Sequence, residues 1–216
     1  MAFSKSELKS IYNKRAGNYD VSANLYYLLG FREAHYRRRA VEALDPRPGD
    51  TVVEIGCGTG LNFRYLLEPL GDKGRIIGVD LSESMLRKAR ERVHKQAWRD
   101  NVTLVRTDAA RYRFPQEMSR AVSTFAITLM PEYDAIIRRV SESLGADGRL
   151  VILDLKRPER WPEWLLQAAV ALTRPFGVTL DLAERKPWLA MQKHFSDVTY
   201  EELYGGMAFL ATAENR

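Results

Sequence analysis

The chain has 216 residues, 45% of them apolar and 28% charged, enough for one domain with a full core. A single cysteine excludes an intrachain disulfide and fits a reducing cytosol; no apolar run nears the ~18 residues of a membrane span, and Lys5, Glu7 and Lys9 interrupt any secretory leader. The net charge is +5, and 24 of the 33 cations are arginine, so the surface is basic: either a compositional bias or an attraction to anionic membrane or nucleic acid.

Ser4-Lys-Ser-Glu7 has the spacing of a capping box and predicts a helix from Lys5 to Arg15. Tyr12-Asn-Lys-Arg-Ala-Gly-Asn-Tyr-Asp20 follows; read alone, its two tyrosines pack a helix against a sheet. Leu25 to Leu44 predicts a second helix, with Leu25, Leu28, Leu29, Tyr36, Ala40, Val41 and Leu44 on its apolar side. Arg32, Arg37, Arg38 and Arg39 decorate it, as a solvated face or as a membrane-surface face. Asp45-Pro-Arg-Pro-Gly49 ends it.

Thr51 to Ile55 is β-branched and apolar except for Glu54, and reads as a strand buried on both faces. Gly56-Cys-Gly-Thr-Gly60 follows, and Leu61 to Leu70 reads as a helix. Strand, glycine turn and helix open a nucleotide-binding βαβ unit, in which glycine lets the backbone approach a ligand and the helix start offers free N–H groups. A carboxylate inside the strand is costly without a partner. It disfavours a pyrophosphate and favours a cationic amino-acid end. Gly74 to Asp80 is the second strand, and its terminal acid stands at the spacing that reaches a ribose diol. Ser82 is placed to cap the helix Ser84 to Ala97, whose many charges form a solvated face.

Asn101 to Asp108 predicts the third strand and Arg120 to Thr128 the fourth, with a helix from Tyr133 to Leu144. Gly145-Ala-Asp-Gly148 stops that helix, and Arg149 to Leu155 is the fifth strand. From Lys156 to Phe195 the pattern loosens, with Trp161, Trp164 and Trp188 broken by prolines. Asp197 to Tyr204, Gly205-Gly206 and Met207 to Ala211 predict a hairpin. One cysteine and no His-x-x-x-His spacing make a metal site unexpected.

Val52-Val-Glu-Ile-Gly-Cys-Gly-Thr-Gly60 resembles the first motif of the class I S-adenosylmethionine-dependent methyltransferases nearly residue for residue. The Tyr12 to Asp20 segment resembles the branch that contains the ubiquinone/menaquinone C-methyltransferases and bacterial phospholipid N-methyltransferases. The likeness runs from about Tyr12 to about Leu155. It implies an α/β fold: a Rossmann-like, doubly wound, mostly parallel seven-stranded sheet with a C-terminal antiparallel hairpin. Within one domain, 1–44 would be a helical cap, 45–155 the cofactor-binding core, 156–196 a substrate lid and 197–216 the closing hairpin.

The resemblance also implies site roles. Gly56, Cys57, Gly58 and Gly60 would wrap the methionine part of S-adenosylmethionine, with Glu54 near its amino group and Asp80 on the ribose. Leu81 and Met85 would pad the adenine, and Asp108 and Ala109 would read its edge. Thr124 and Phe125 stand where cofactor and substrate meet; Tyr12 and Tyr19 would close over them, Tyr19 touching the cofactor as well. Arg185 and His194 are the further substrate candidates, the former for a phosphate head group. Departures are Ser119-Arg120, where the family commonly opens the fourth strand with Asp, and the lack of a D/N-P-P-[YF] sequence, which argues against DNA or protein-glutamine substrates.

The expected acceptor is a small lipophilic molecule. The amino head group of a phospholipid ranks first, since no base is evident and an amine needs only to arrive uncharged. A quinone-ring carbon is the alternative, and a non-catalytic S-adenosylmethionine-binding module is the alternative of another class. The expected location is cytoplasmic, at most peripheral on the inner membrane face, with no nucleic-acid partner.

Overall fold

A computed structural model describes residues 32–116, 118–159, 161–162 and 184–215. The helix predicted over 5–15, the first part of the next helix, Tyr12, Tyr19 and most of the aromatic insert lie outside the described residues. The described chain runs α1 (Glu33–Leu44), β1 (Thr51–Ile55), α2 (Phe63–Leu70), β2 (Arg75–Asp80), α3 (Glu83–Lys95), β3 (Val102–Arg106) and β4 (Met118–Thr124). It continues with α4 (Tyr133–Ser143), β5 (Leu144–Leu155), α5 (Pro187–His194), β6 (Asp197–Leu203) and β7 (Ala208–Glu214).

The seven strands form one sheet in the order β3-β2-β1-β4-β5-β7-β6. The pairs among β1 to β5 are parallel, and β7 runs antiparallel to both β5 and β6. Strand order therefore reverses between β1 and β4, the place where open α/β sheets leave a crevice beyond their carboxyl ends. This is the fold class expected from the glycine turn and its flanking strands.

The two sheet faces hold separate cores. Val52, Ile76, Val122 and Val151 pack with Ala40, Val41 and Leu44 of α1, Phe63 and Leu66 of α2, and Leu86 and Ala89 of α3. Val53, Ile55, Ala121 and Ile152 pack with Ile136, Ile137 and Val140 of α4 and Met191 of α5. Side chains alternate between faces along a strand. Glu54 and Thr124 therefore point to the α1–α2 side with Val52 and Val122, and Asp154 points to the α4 side with Ile152.

Several boundaries move. Helix α2 begins at Phe63, not Leu61, because the glycine turn extends further. Strand β3 is shorter at both ends than the stretch 101–108. Strand β4 stops at Thr124, well before Thr128, because Phe125 takes a left-handed φ of 54° and Ile127–Leu129 winds into a 3-10 turn. Strand β5 begins at Leu144, since Met118 pairs with Leu144 before the register shifts to Arg120 and Arg149. Strand β7 runs on to Glu214 because it pairs along β5 as far as Arg149. Arg120, at the position of the unmatched family acid, is buried and donates to the carbonyls of Asp45, Ser119 and Asp147. It ties α1's end to the first part of β5.

Candidate active site

A cavity opens at the carboxyl ends of β1, β2 and β4. Its wall includes Glu54, Gly56, Cys57, Gly58, Asp80, Leu81, Met85, Asp108, Ala109, Thr124 and Phe125, all of them positions singled out in the sequence. Arg37, Thr59, Leu61, Ser82, Ala126, Leu129, Met130 and Pro131 also line it.

The floor is the glycine turn. The N–H groups of Gly56 and Cys57 both donate to the Val79 carbonyl, at 2.8 and 3.1 Å, which ties the turn to β2. Gly56 and Gly58 have φ of 71° and 55°, where a side chain strains the backbone. A methyl on Gly56 would meet Ala126 Cβ at 2.4 Å, whereas one on Gly58 would stand in open space. Gly60 is not part of the wall; its absent side chain makes room for the Phe63 ring. Its place is in packing the turn onto α2.

Asp80 organises the middle of the site. One carboxylate oxygen accepts from Gly58 N and the other from Ser82 N, both at 2.8 Å. Ser82 in turn caps α3 by accepting from Met85 N. Burial raises the Asp80 carboxyl above its ordinary range, and the N–H donors of Ser82 and Gly58 oppose that. Asp108 accepts from Ala110 N at 3.0 Å, so it caps the turn after β3 while facing the cavity.

Glu54 is 1% exposed. Oε1 accepts from Asn62 Nδ2 at 2.6 Å, and Oε2 has no partner. Burial pushes the carboxyl up to about 8; Arg37 and the Asn62 bond hold it down, and Asp80 pushes it further up. Arg37, expected on a solvated or membrane-facing side of the helix, is instead 6% exposed. It starts α1's buried stripe of Arg37, Ala40, Val41 and Leu44. That i, i+3, i+4, i+7 spacing is the signal that marks it as inward, whereas Tyr36 is only half-buried.

Asn62 was not singled out either. It stands at the N-cap of α2, yet its side chain makes no cap bond and turns inward to Glu54 and to Thr124 Oγ1.

Two substrate candidates do not line this cavity. Arg185 donates to the Thr128 carbonyl at 2.7 Å. His194 Nε2 lies 3.3 Å from Asp134 Oδ1, joining α5 to α4. Two other basic side chains of this region have protein partners: Arg157 pairs with Glu184 and Lys193 with Asp134. Among the described residues no group of side chains could hold a metal ion, and no helix is long and apolar enough to cross a membrane.

The comparison with known proteins agrees with this geometry. Residues 52–148 match a family model described as a methyltransferase domain. Over that stretch the chain is similar to a methyltransferase domain. A stretch of 152 residues is 28% identical to a demethylmenaquinone methyltransferase of Desulfitobacterium hafniense, covering 70% of this chain and 59% of that one. This chain thus spans about six tenths of that relative's length. A methyltransferase of Aquifex aeolicus superposes with a TM-score of 0.61 at 18% identity, over 82% of this chain and 88% of that one. A phosphoethanolamine N-methyltransferase of Haemonchus contortus, in complex with S-adenosylmethionine, gives 0.62 at 23% identity, over 78% and 38%.

The residues present fit S-adenosylmethionine, the compound in that Haemonchus contortus complex. A buried carboxylate oxygen without a donor suits an ammonium group. A glycine whose side-chain position is open lets a ligand press against the backbone.

Proposed function

We propose that this protein transfers a methyl group from S-adenosylmethionine to a lipophilic acceptor, a quinol ring carbon ahead of a phospholipid amine. The observation that carries the cofactor half is the unpartnered Glu54 oxygen beside the glycine turn. When bound, S-adenosylmethionine supplies a methyl on a sulfonium, which moves to the acceptor in one in-line displacement.

The chain's residues do the positioning. Glu54 Oε2 takes the ammonium of the methionine end. Asp80, already fixed by Gly58 and Ser82, keeps further lone pairs for the ribose hydroxyls. Phe125, Ala126, Leu129, Met130 and Pro131 give the acceptor end an apolar wall that excludes water. Alignment in a dry site is the main source of rate for a displacement that disperses charge.

The order of acceptors rests on the name of the curated relative, a demethylmenaquinone methyltransferase, together with that apolar wall. A ring carbon gives up its proton as the methyl arrives, so the reaction releases one proton per methyl. The test is incubation of the protein with methyl-labelled S-adenosylmethionine and either demethylmenaquinol or phosphatidylethanolamine vesicles. Label in the quinone ring is expected. Label in the lipid head group would reassign the acceptor, and label in neither would overturn the lipophilic reading.

A further inference from the structure

Helix α1 reaches the cofactor cavity through one side chain. Arg37 Nε and Nη2 meet Glu33 Oε1 at 2.7 and 2.6 Å. Its Nη1 donates to Asn62 Oδ1 at 3.0 Å and to Thr124 Oγ1 at 2.5 Å. Asn62 Nδ2 then donates to Glu54 Oε1 at 2.6 Å and to Thr124 Oγ1 at 2.8 Å. The guanidinium also lies 5.0 Å from the Phe125 ring centroid.

The chemistry of this chain has one polarity. Guanidinium only donates and carboxylate only accepts. A primary amide between them therefore has a single satisfied orientation, oxygen toward Arg37 and nitrogen toward Glu54. With the amide so fixed, Glu54 Oε1 is held, and Oε2 is left without a donor on a residue that lines the cavity.

We propose that Arg37 is a positioning residue for the cofactor site: through Asn62 it sets the orientation and charge of Glu54, and so couples α1 to the affinity for S-adenosylmethionine. The link to affinity rests on the cofactor reading given above, whereas the link to Glu54 does not. The groups facing Glu54 are Arg37 from α1, with Glu33 behind it, Asp80 from β2, the Cys57 thiol from the glycine turn and the neutral Asn62. Arg37 is the cation in that set, and its field opposes burial, which drives the carboxyl to about 8.

An ammonium ligand needs Glu54 ionised. Affinity should therefore rise with pH up to about 8 in the wild type, with a proton released on binding below that point.

The experiment has two readouts on the full chain. The Glu54 carboxyl is titrated by carbon NMR in the ligand-free protein, assigned with Glu54→Gln. S-adenosylhomocysteine affinity is measured by calorimetry from pH 6 to about 8. Arg37→Met is expected to move the Glu54 midpoint upward and to weaken binding at pH 7 by at least about tenfold. Arg37→Lys is expected to restore most of the midpoint, because its charge remains, but not the affinity, because an ammonium lacks the planar fork.

Asn62→Ala leaves both charges in place and removes the link; it should also weaken binding, and it serves as the test should Arg37→Met fail to fold. A folded Arg37→Met or Asn62→Ala protein with wild-type titration and affinity would overturn the proposal. Wild-type protein that binds no S-adenosylhomocysteine, yet shows the Glu54 shift in Arg37→Met, would overturn the cofactor reading and leave the relay standing.

Discussion

Asp80 shows how one carboxylate serves fold and ligand together. Both of its oxygens accept backbone N–H groups, one from the glycine turn and one from the start of α3. Asp80→Asn keeps the shape but sets an amide N–H₂ against one of those N–H donors. Leaving a buried donor unsatisfied costs about 1–3 kcal/mol. Urea unfolding should show that loss, and calorimetry should show affinity for S-adenosylhomocysteine falling by about tenfold or more. Unchanged affinity would contradict the ribose role.

The acids at the strand ends were legible in the sequence because their positions follow from local pattern. A β-branched run fixes the strand, period two fixes the face, and a glycine fixes the turn. What the sequence did not show is what faces Glu54. Arg37 and Glu54 lie on separate elements, and only the packing of α1 over β4 and β5 and against α2 brings them together. An arginine on an amphipathic helix is most often solvated, and that expectation hid its place at the head of the buried stripe.

At the scale of elements, the glycine turn is a joint between β1, β2 and α2, and its glycines do different work. Gly56 backs onto Ala126 and Gly60 onto Phe63, whereas Gly58 faces open space in the cavity. Of these three glycines, Gly56 and Gly58 line the cavity and Gly60 does not. Placing a side chain at a left-handed φ costs about 1–2 kcal/mol by itself. Gly58→Ala should lose about that much stability and most of its affinity for S-adenosylhomocysteine. Gly56→Ala should lose more stability, because the Ala126 turn must move. Thermal melts and titrations of the pair would separate the roles, and equal losses in both measurements would contradict the division.

The segment after β4 has a similar logic. Buried Asp154, at the end of β5, accepts from Thr128 N at 2.9 Å and from its neighbour Leu155 N at 2.8 Å. That bond holds the turn carrying the apolar cavity wall. Neither the turn nor its anchor is visible in hydrophobic pattern, since Phe125 to Thr128 reads as a continuation of the fourth strand. The placement of His194 and Arg185 depends on how α5 docks on α4, which residue types alone do not set.

At the scale of the molecule, buried acids link stability to pH. Burial raises Glu54 to about 8 and Asp154 to about 6, and raises Asp80 as well. In the unfolded chain these groups lose their protons near 4. Between pH 4 and 8 the folded state therefore holds protons that the unfolded state has released, and stability falls as pH rises. The ligand-free protein should melt at higher temperature at pH 5 than at pH 8. Glu54→Gln should remove much of the decline, raising the pH 8 midpoint on the order of 5 °C while abolishing cofactor affinity. A Glu54→Gln melt that tracks the wild type across this range would contradict the burial of a chargeable group there.

The central claim is that the crevice between β1, β2 and β4 is a seat for S-adenosylmethionine. A crystal structure with S-adenosylhomocysteine tests it most directly. The account predicts the ligand's ammonium on Glu54 Oε2, its ribose hydroxyls on Asp80 and its adenine beside Asp108 and Ala109. Ligand bound at another place, with Glu54 and Asp80 making no contact to it, would contradict the account.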